Sequence, residues 1–400
     1  MSKSKTFEIL ALNHISHVGL KRLPQELYTV TREAQSPDAI LVRSQDMHAM
    51  TIAASVKAIG RAGAGTNNIP VKAMSARGVP VFNAPGANAN AVKELVLAGM
   101  LMGARNLAPA LGFVTALGGD QATLEKRIED GKKQFAGVEL PNHTLGVIGL
   151  GKIGSLVADA AIKLGMQVLG YDPEITVDAA WGLPAQVRKA ASIDEVLKSS
   201  HFVTLHVPLV EATRNLIGSK NIGLMRHGAI LLNFSREGIV EEQAVLAALT
   251  AHGLKYYVTD FPGTVLARLP GVIALPHLGA STREAEDNSA VMVVDQVRDY
   301  LEHGNISNAV NFPDVVMPRE VPYRVAIANA NVPNMLGQIS TAMAQAGLNI
   351  HNMMNKSRQE MAYTLVDIDT PVPAAVIAAL RATPGMLAIR YLPRRGEEAK

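Results

Sequence analysis

Short runs of valine, isoleucine and leucine alternate along the chain with alanine-rich stretches of helical period, and glycine, proline and asparagine punctuate the joins. That alternation predicts an α/β fold in which parallel strands are wrapped by helices. Residues 7–12, 39–42 and 80–83 read as strands, with a helical stretch over 52–59, and together they predict a first, smaller α/β unit. A long helix over 92–107 leads out of it. An apolar strand at 144–148 then runs directly into Gly149-Leu150-Gly151-Lys152-Ile153-Gly154, an alanine-rich helix follows to Leu164, and a second strand at 167–171 closes a βαβ unit. Further on, three prolines fall within 311–323 without helical period, which reads as a linker. Beyond it the pattern predicts a separate module: strand 324–329, helix 335–346, a strand from the 349–355 segment, strand 362–368, helix 374–382 and strand 386–391. That order is βαββαβ.

Four hundred residues exceed one ordinary core and suggest two or three domains. Lysine plus arginine number 38 against 35 acidic residues, without a basic block, which argues against nucleic acid as a partner. The longest apolar run, 95–104, is closed by Glu94 and Arg105, too short for a bilayer. No membrane partner is expected. The first residues lack the apolar core of a signal segment, so the cytoplasm is the expected compartment. With no cysteine there is neither a disulfide framework nor a thiolate nucleophile, and no metal site is expected.

The glycine motif gains meaning from its place between a strand and a helix, with Asp172 closing the second strand about 20 residues on. Gly149 makes the tight turn, Gly151 lets backbone approach a pyrophosphate, and Gly154 lets the helix pack closely on the strand, its N-terminus facing the anion. A carboxylate at Asp172 suits a free adenine ribose and repels a 2′-phosphate, which favours NAD over NADP as cofactor. Arg236, in Asn233-Phe234-Ser235-Arg236-Glu237-Gly238, follows an apolar strand at the edge where such sheets bind ligands; its planar fork can clamp a carboxylate. His277, in Pro276-His277-Leu278-Gly279, follows another strand, where it can exchange a proton with a hydroxyl at neutral pH. His201 and His206 flank a similar strand without such context and read as structural.

Taken together, Leu41-Val42-Arg43-Ser44, Arg61-Ala62-Gly63-Ala64-Gly65, Asn83-Ala84-Pro85-Gly86-Ala87-Asn88, the glycine motif with Asp172, the Arg236 segment and Pro276-His277-Leu278-Gly279-Ala280-Ser281-Thr282 resemble the D-2-hydroxyacid dehydrogenase family. Within it the chain is similar to the phosphoglycerate-oxidising branch with a C-terminal ACT domain. The resemblance implies a flavodoxin-like substrate domain (1–95 and 285–312), a Rossmann-type doubly wound NAD-binding domain inserted into it (96–284), a linker (313–322) and an α+β ACT domain (323–400). It implies Arg236 and His277 as catalytic residues. Lys152, Ile153, Val207, Pro208, Ser235, Asp260, His277 and Gly279 join the glycines and Asp172 around NAD. The substrate carboxylate would be shared between Arg236 and the backbone of Ala64 and Gly65. Arg43 and Ser44, with a contribution from Lys132 or Lys133, would meet the distal phosphate.

The activity so implied is NAD-dependent oxidation of D-3-phosphoglycerate to 3-phosphohydroxypyruvate, the first step of phosphorylated serine biosynthesis. Alternatives are reduction of hydroxypyruvate or glyoxylate, and an NAD-sensing binding protein. The sequence departs from the family where a glutamate usually supports the histidine: after Asp260-Phe261-Pro262-Gly263 stands Thr264, and no acidic residue follows before His277. In the last module Asn329, Asn331 and Asn349 match positions that face an L-serine effector, although Asn334 replaces the usual glycine; assembly alone is the other reading. A homodimer or homotetramer is implied.

Overall fold

The computed structural model describes residues 6–394. The outermost residues of the first and last expected domains, 1–5 and 395–400, lie outside that range. The chain forms two compact units: one holds the residues up to Ala87 and from Arg283 onward, the other Asn88–Thr282.

The first unit contains a parallel sheet of β1 (Phe7–Ala11), β2 (Tyr28–Thr31), β3 (Ala39–Val42), β4 (Ala58–Arg61) and β5 (Val81–Phe82) in the order β2-β1-β3-β4-β5. That is the flavodoxin-like order, which reverses direction beside β1 and leaves a crevice at the carboxyl ends of the strands. The expected helix at 52–59 is corrected here. Residues 58–61 are a strand paired on both sides, to β3 and β5, and its buried Ala58, Ile59 and Gly60 gain more from two ladders than from local helix propensity. The short helices His17–Leu20 and Val71–Ala76 and the strand β2 gave no readable period.

In the second unit, β6 (Thr144–Ile148), β7 (Gln167–Tyr171), β8 (Val187–Lys189), β9 (Phe202–Leu205), β10 (Ala229–Asn233), β11 (Leu254–Thr259) and β12 (Val272–Ala274) form one sheet in the order β12-β11-β10-β9-β6-β7-β8. Every pairing is parallel, so all seven strands end on the same edge. The central strands β6, β9 and β10 are almost wholly buried and mostly apolar, as expected of a parallel sheet covered on both faces. The helix expected at 92–107 is two, Ala89–Ala104 and Leu107–Thr115. Asn106 breaks it at φ 53°, and its amide donates to the carbonyls of Phe135 and Ala136 while its oxygen accepts from the Tyr256 hydroxyl.

The remaining chain returns to the first unit. Helix Arg283–His303 packs its valines on β4, and beyond it β13 (Tyr323–Ala330), β14 (Ile350–Arg358), β15 (Met361–Ile368) and β16 (Met386–Pro393) form an antiparallel sheet in the order β14-β15-β13-β16, with helices Met335–Gln345 and Ala374–Arg381. This is the ferredoxin-like βαββαβ arrangement. The 311–323 stretch is not a free spacer. Phe312, Val315 and Met317 are buried between its prolines, and Ala326, Ala328, Tyr363 and Leu365 share one core with Ile9 and Leu41.

Polar clamps hold the helix end to this sheet. Arg390 donates to the carbonyls of Tyr300 and Leu301, both at 2.7 Å, the former also accepting the Gly304 N–H, while Arg324 donates to the carbonyl of His303 and the Tyr363 hydroxyl to that of Gly304, so side chains of the sheet satisfy carbonyls at the helix end. Arg324 is fully buried and fork-paired to Asp367 at 2.6 and 2.8 Å. Burial, and after it the positive charge of Arg324, lower the pKa of nearby Arg319 to about 10.

Among the described residues no single helix is long and apolar enough to cross a membrane, and no group of histidines and carboxylates is arranged to hold a metal.

Candidate active site

Six of the strands that end on the common edge of the second unit carry residues singled out by sequence. After β6 the backbone turns at Gly149, φ 90°, a conformation glycine adopts at no steric cost. A Cβ there would stand 2.5 Å from the His206 carbonyl, and one on Gly154 would overlap the Gly149 carbonyl, so both glycines are required by close approach. A Cβ on Gly151 would meet nothing within 4 Å. The space over Gly151 is therefore open at the N-cap of helix Lys152–Lys163, where unpaired N–H groups and the helix dipole favour an anion. Asp172 ends β7 with one carboxylate oxygen accepting from the Leu150 N–H at 2.8 Å and the other from the Glu174 N–H at 3.0 Å, which fixes it directly under the glycine turn. These residues fit a dinucleotide.

Past β9, the His206 ring accepts or donates at 3.0 Å to the Thr204 hydroxyl, and burial pushes its pKa down to about 3. Val207 lies against the Gly149 turn. His201 is lowered as well, chiefly by burial, and its Nδ1 accepts from the Thr144 N–H.

Arg236 leaves β10 on a turn tied in three places. The Asn233 amide donates to the Arg236 carbonyl, its oxygen accepts from the Ser235 N–H, and the Ser235 hydroxyl donates to the Leu205 carbonyl at 2.6 Å. The Arg236 guanidinium is exposed and makes one bond among the described residues, to the Ser235 carbonyl, so its remaining donors can take a carboxylate.

His277 follows β12 with φ 55°, a left-handed conformation uncommon for a residue with a Cβ and concentrated at functional positions. Asp260, 1% exposed at the end of β11, accepts from the N–H groups of Leu278 at 2.7 Å and Gly279 at 2.8 Å and so pins the loop that presents the histidine. The imidazole is exposed and lies against the Phe261 ring, and no hydrogen bond reaches it among the described residues, from Thr264 or from any carboxylate. Phe261 was not singled out by sequence, since an aromatic two places after a strand carries no signal of its own.

On the first unit, Arg43 follows β3 and is paired to Glu286 at 2.7 Å, both half-exposed, while Ser44 is exposed. The Ala64 carbonyl accepts from the Asn83 amide at 2.6 Å, which braces the Ala64 and Gly65 turn. Arg61, which opens one of the matching segments but was given no role by sequence, folds its guanidinium against Gly63, where a Cβ would overlap it. Lys132 is exposed and paired with Glu129 on its own helix face, Lys133 is exposed, and neither forms a structured site among the described residues.

In the last module, Asn329 is 1% exposed, its amide donating to the Ala330 carbonyl and its oxygen without a hydrogen-bond partner among the described residues; Asn331 donates to the Gln359 carbonyl and Asn349 to Asp369. Asn334 takes φ 64°, the conformation for which glycine is usual and asparagine the most tolerant replacement.

Residues 108–279 match the D-isomer specific 2-hydroxyacid dehydrogenase, NAD binding domain. The chain belongs to the D-isomer-specific 2-hydroxyacid dehydrogenase family, and NAD is the cofactor its second unit takes. Among its relatives, the D-3-phosphoglycerate dehydrogenase of Escherichia coli strain K12 is 32% identical over 84% of this chain and 81% of its own length. That of Methanocaldococcus jannaschii is 37% identical over 70% of this chain and 52% of its own. The chain thus spans about half the length of the latter. In three dimensions it is similar to the NAD+-bound 3-phosphoglycerate dehydrogenase of Entamoeba histolytica, with a TM-score of 0.59 and 24% identity over 76% of this chain and 99% of that one. The TT0316 protein of Thermus thermophilus superimposes with a TM-score of 0.62 at 25% identity, over 76% and 100%.

Proposed function

We propose that this protein is an NAD-dependent dehydrogenase that oxidises D-3-phosphoglycerate to 3-phosphohydroxypyruvate, the opening step of serine formation from a phosphorylated precursor. The observation that carries the reading is that the glycine turn, Arg236, Asp260 and His277 all leave one edge of a single parallel sheet.

NAD would be held by Gly149, Gly151, Lys152, Ile153 and Gly154 at its pyrophosphate, by Asp172 at the ribose, and by Val207, Pro208, Ser235, Asp260 and Gly279 along its length; when bound it supplies the hydride acceptor. Arg236 clamps the substrate carboxylate with the backbone of Ala64 and Gly65. The imidazole of His277 takes the proton of the 2-hydroxyl as the C2 hydrogen departs, general-base work suited to neutral pH. Arg43, released from Glu286, meets the distal phosphate, with Ser44 beside it. The first unit then acts as substrate domain, the second as cofactor domain, and the βαββαβ module as an ACT domain. Asn329, Asn331 and Asn349 are its candidate L-serine contacts, and homo-oligomeric assembly in the cytoplasm is part of the same reading.

The test is NADH formation from D-3-phosphoglycerate beside glycerate and 2-hydroxyglutarate, from pH 6 to 10. Selective turnover of the phosphorylated acid is the expected result. Preference for glycerate would favour a hydroxypyruvate or glyoxylate reductase, and NAD binding without turnover of any acid would favour a sensor.

A further inference from the structure

The C-terminal module meets the first sheet at the edge opposite Arg43 and Ala64, where the strands begin. A cavity of about 700 Å³ lies at this junction. One wall is the run-up to the parallel strands, Glu8, Asp38, Lys57 and Arg77 among them; the other is Arg381 and 387–390 of the module. Packing around it is tight: Gly78, at φ 68°, sits so close that a Cβ would stand 2.6 Å from the Ala388 Cβ.

Four cationic side chains and two carboxylates line the space. Lys57 is neutralised by Asp38, which also accepts the Glu8 N–H. The three arginines have no carboxylate partner among the described residues. Arg77 donates to the carbonyls of Ile52 and Ala53, Arg390 to those of Tyr300 and Leu301 with its guanidinium 4.6 Å from the Tyr300 ring, and Arg381 makes one long bond to the Ile389 carbonyl. Neutral carbonyls hold these groups in place without cancelling their charge. Each guanidinium keeps N–H donors beyond those bonds. Arg77 and Arg390 are planar donors held by two carbonyls each, Arg381 stands exposed beside them, and the positive charge is in excess, a set suited to bidentate recognition of a tetrahedral oxyanion.

We infer that this junction is a second anion site, separate from the proposed active site, that binds a small phosphomonoester or free phosphate through Arg77, Arg381 and Arg390. An occupant touches both 54–57 and 387–390, so it ties the module to the first sheet, and its binding stabilises the fold by mass action.

Titration of the full-length protein with inorganic phosphate tests this, at ionic strength held constant with chloride, in the Arg43→Ala background and with saturating NAD. Those conditions remove the phosphate contact proposed for Arg43 and fill the pyrophosphate cradle, and Arg236 stays the same in parent and variant, so the difference made by Arg381→Ala reports on this junction. Saturable binding is expected, weakened about ten-fold by adding Arg381→Ala, a loss typical of one charge-assisted hydrogen bond. Arg381 is exposed, so that change leaves the melting temperature without phosphate unmoved. Hydrogen exchange should slow at 54–57 and 387–390 when phosphate is added, and glycerol 1-phosphate against phosphate separates an ester from the free ion. Absence of saturable binding, equal affinity in the Arg381→Ala protein, or protection confined to other segments would each overturn the inference. None of these readouts depends on catalytic turnover.

Discussion

The Phe261 ring lies against the His277 imidazole, 4.8 Å between centroids and tilted by 54°. With Asp260 engaged by two backbone N–H groups, this is the ring contact that bears on the imidazole among the described residues. Phe261→Ala should lower kcat about ten-fold while leaving the dissociation constant of NAD within two-fold, because the loss is one of orientation in the transition state. Equal loss in NAD affinity would show the ring acting through the cofactor pocket instead.

A carboxylate near His277 would stabilise imidazolium by charge, which a threonine hydroxyl cannot do. Thr264→Glu should therefore raise the plateau kcat and move the acid limb of the kcat profile to higher pH, since the neutral base would carry a raised pKa. An unchanged profile in a folded variant would count against a role for that position.

The Arg43 and Glu286 pair implies competition, for a substrate phosphate must displace a carboxylate already 2.7 Å away. Glu286→Gln should lower KM for D-3-phosphoglycerate several-fold with little change for glycerate, and Arg43→Ala should raise KM for the phosphorylated acid alone. Parallel effects on both substrates would place the pair outside phosphate recognition.

Much of the cofactor side was legible in sequence because strand, glycine turn, helix and carboxylate fall within one continuous βαβ unit. Arg236 and His277 could be picked out because each directly follows an apolar strand. The first sheet was harder. Residues 58–61 carry alanine and glycine, and only pairing to β3 and β5, set by distant chain, makes them a strand. The partners of polar groups were illegible for the same reason: Glu286 lies 243 positions from Arg43, and Phe312, Val315 and Met317 hide a packed segment behind its prolines.

The glycine turn separates folding from binding. Gly154→Ala must push the helix off the Gly149 carbonyl and should both lower the melting temperature and weaken NAD. Gly151→Ala meets open space, so its stability should stay within about 1 kcal/mol of the parent while NAD affinity falls at least ten-fold. Thermal melts with and without NAD distinguish the two; normal NAD affinity in Gly151→Ala would exclude the turn as the pyrophosphate cradle.

Arg324 and Asp367 are fully buried, and removing one partner leaves an uncompensated charge. Arg324→Met should cost about 3–5 kcal/mol in urea unfolding, and adding Asp367→Leu should restore part of it. A double variant as unstable as the sum of single changes would contradict this.

His206 is neutral in the folded protein because burial holds its pKa near 3, whereas unfolded histidine titrates near 6.5. Its contribution is fully present above pH 6.5 and is lost as pH falls from there toward 3, by at most about 1.4 kcal/mol per pH unit. Relative to His206→Gln, the parent should lose stability more steeply between pH 6.5 and 4. Parallel curves would show that the ring takes up a proton without unfolding.

The central claim is hydride transfer from C2 of a phosphorylated D-2-hydroxy acid with His277 as base. D-3-phosphoglycerate deuterated at C2, incubated with the protein and NAD, should yield NADH carrying one deuterium by mass spectrometry, and His277→Ala, still binding NAD, should yield almost none. Unlabelled NADH, or no NADH despite bound NAD, would contradict the account.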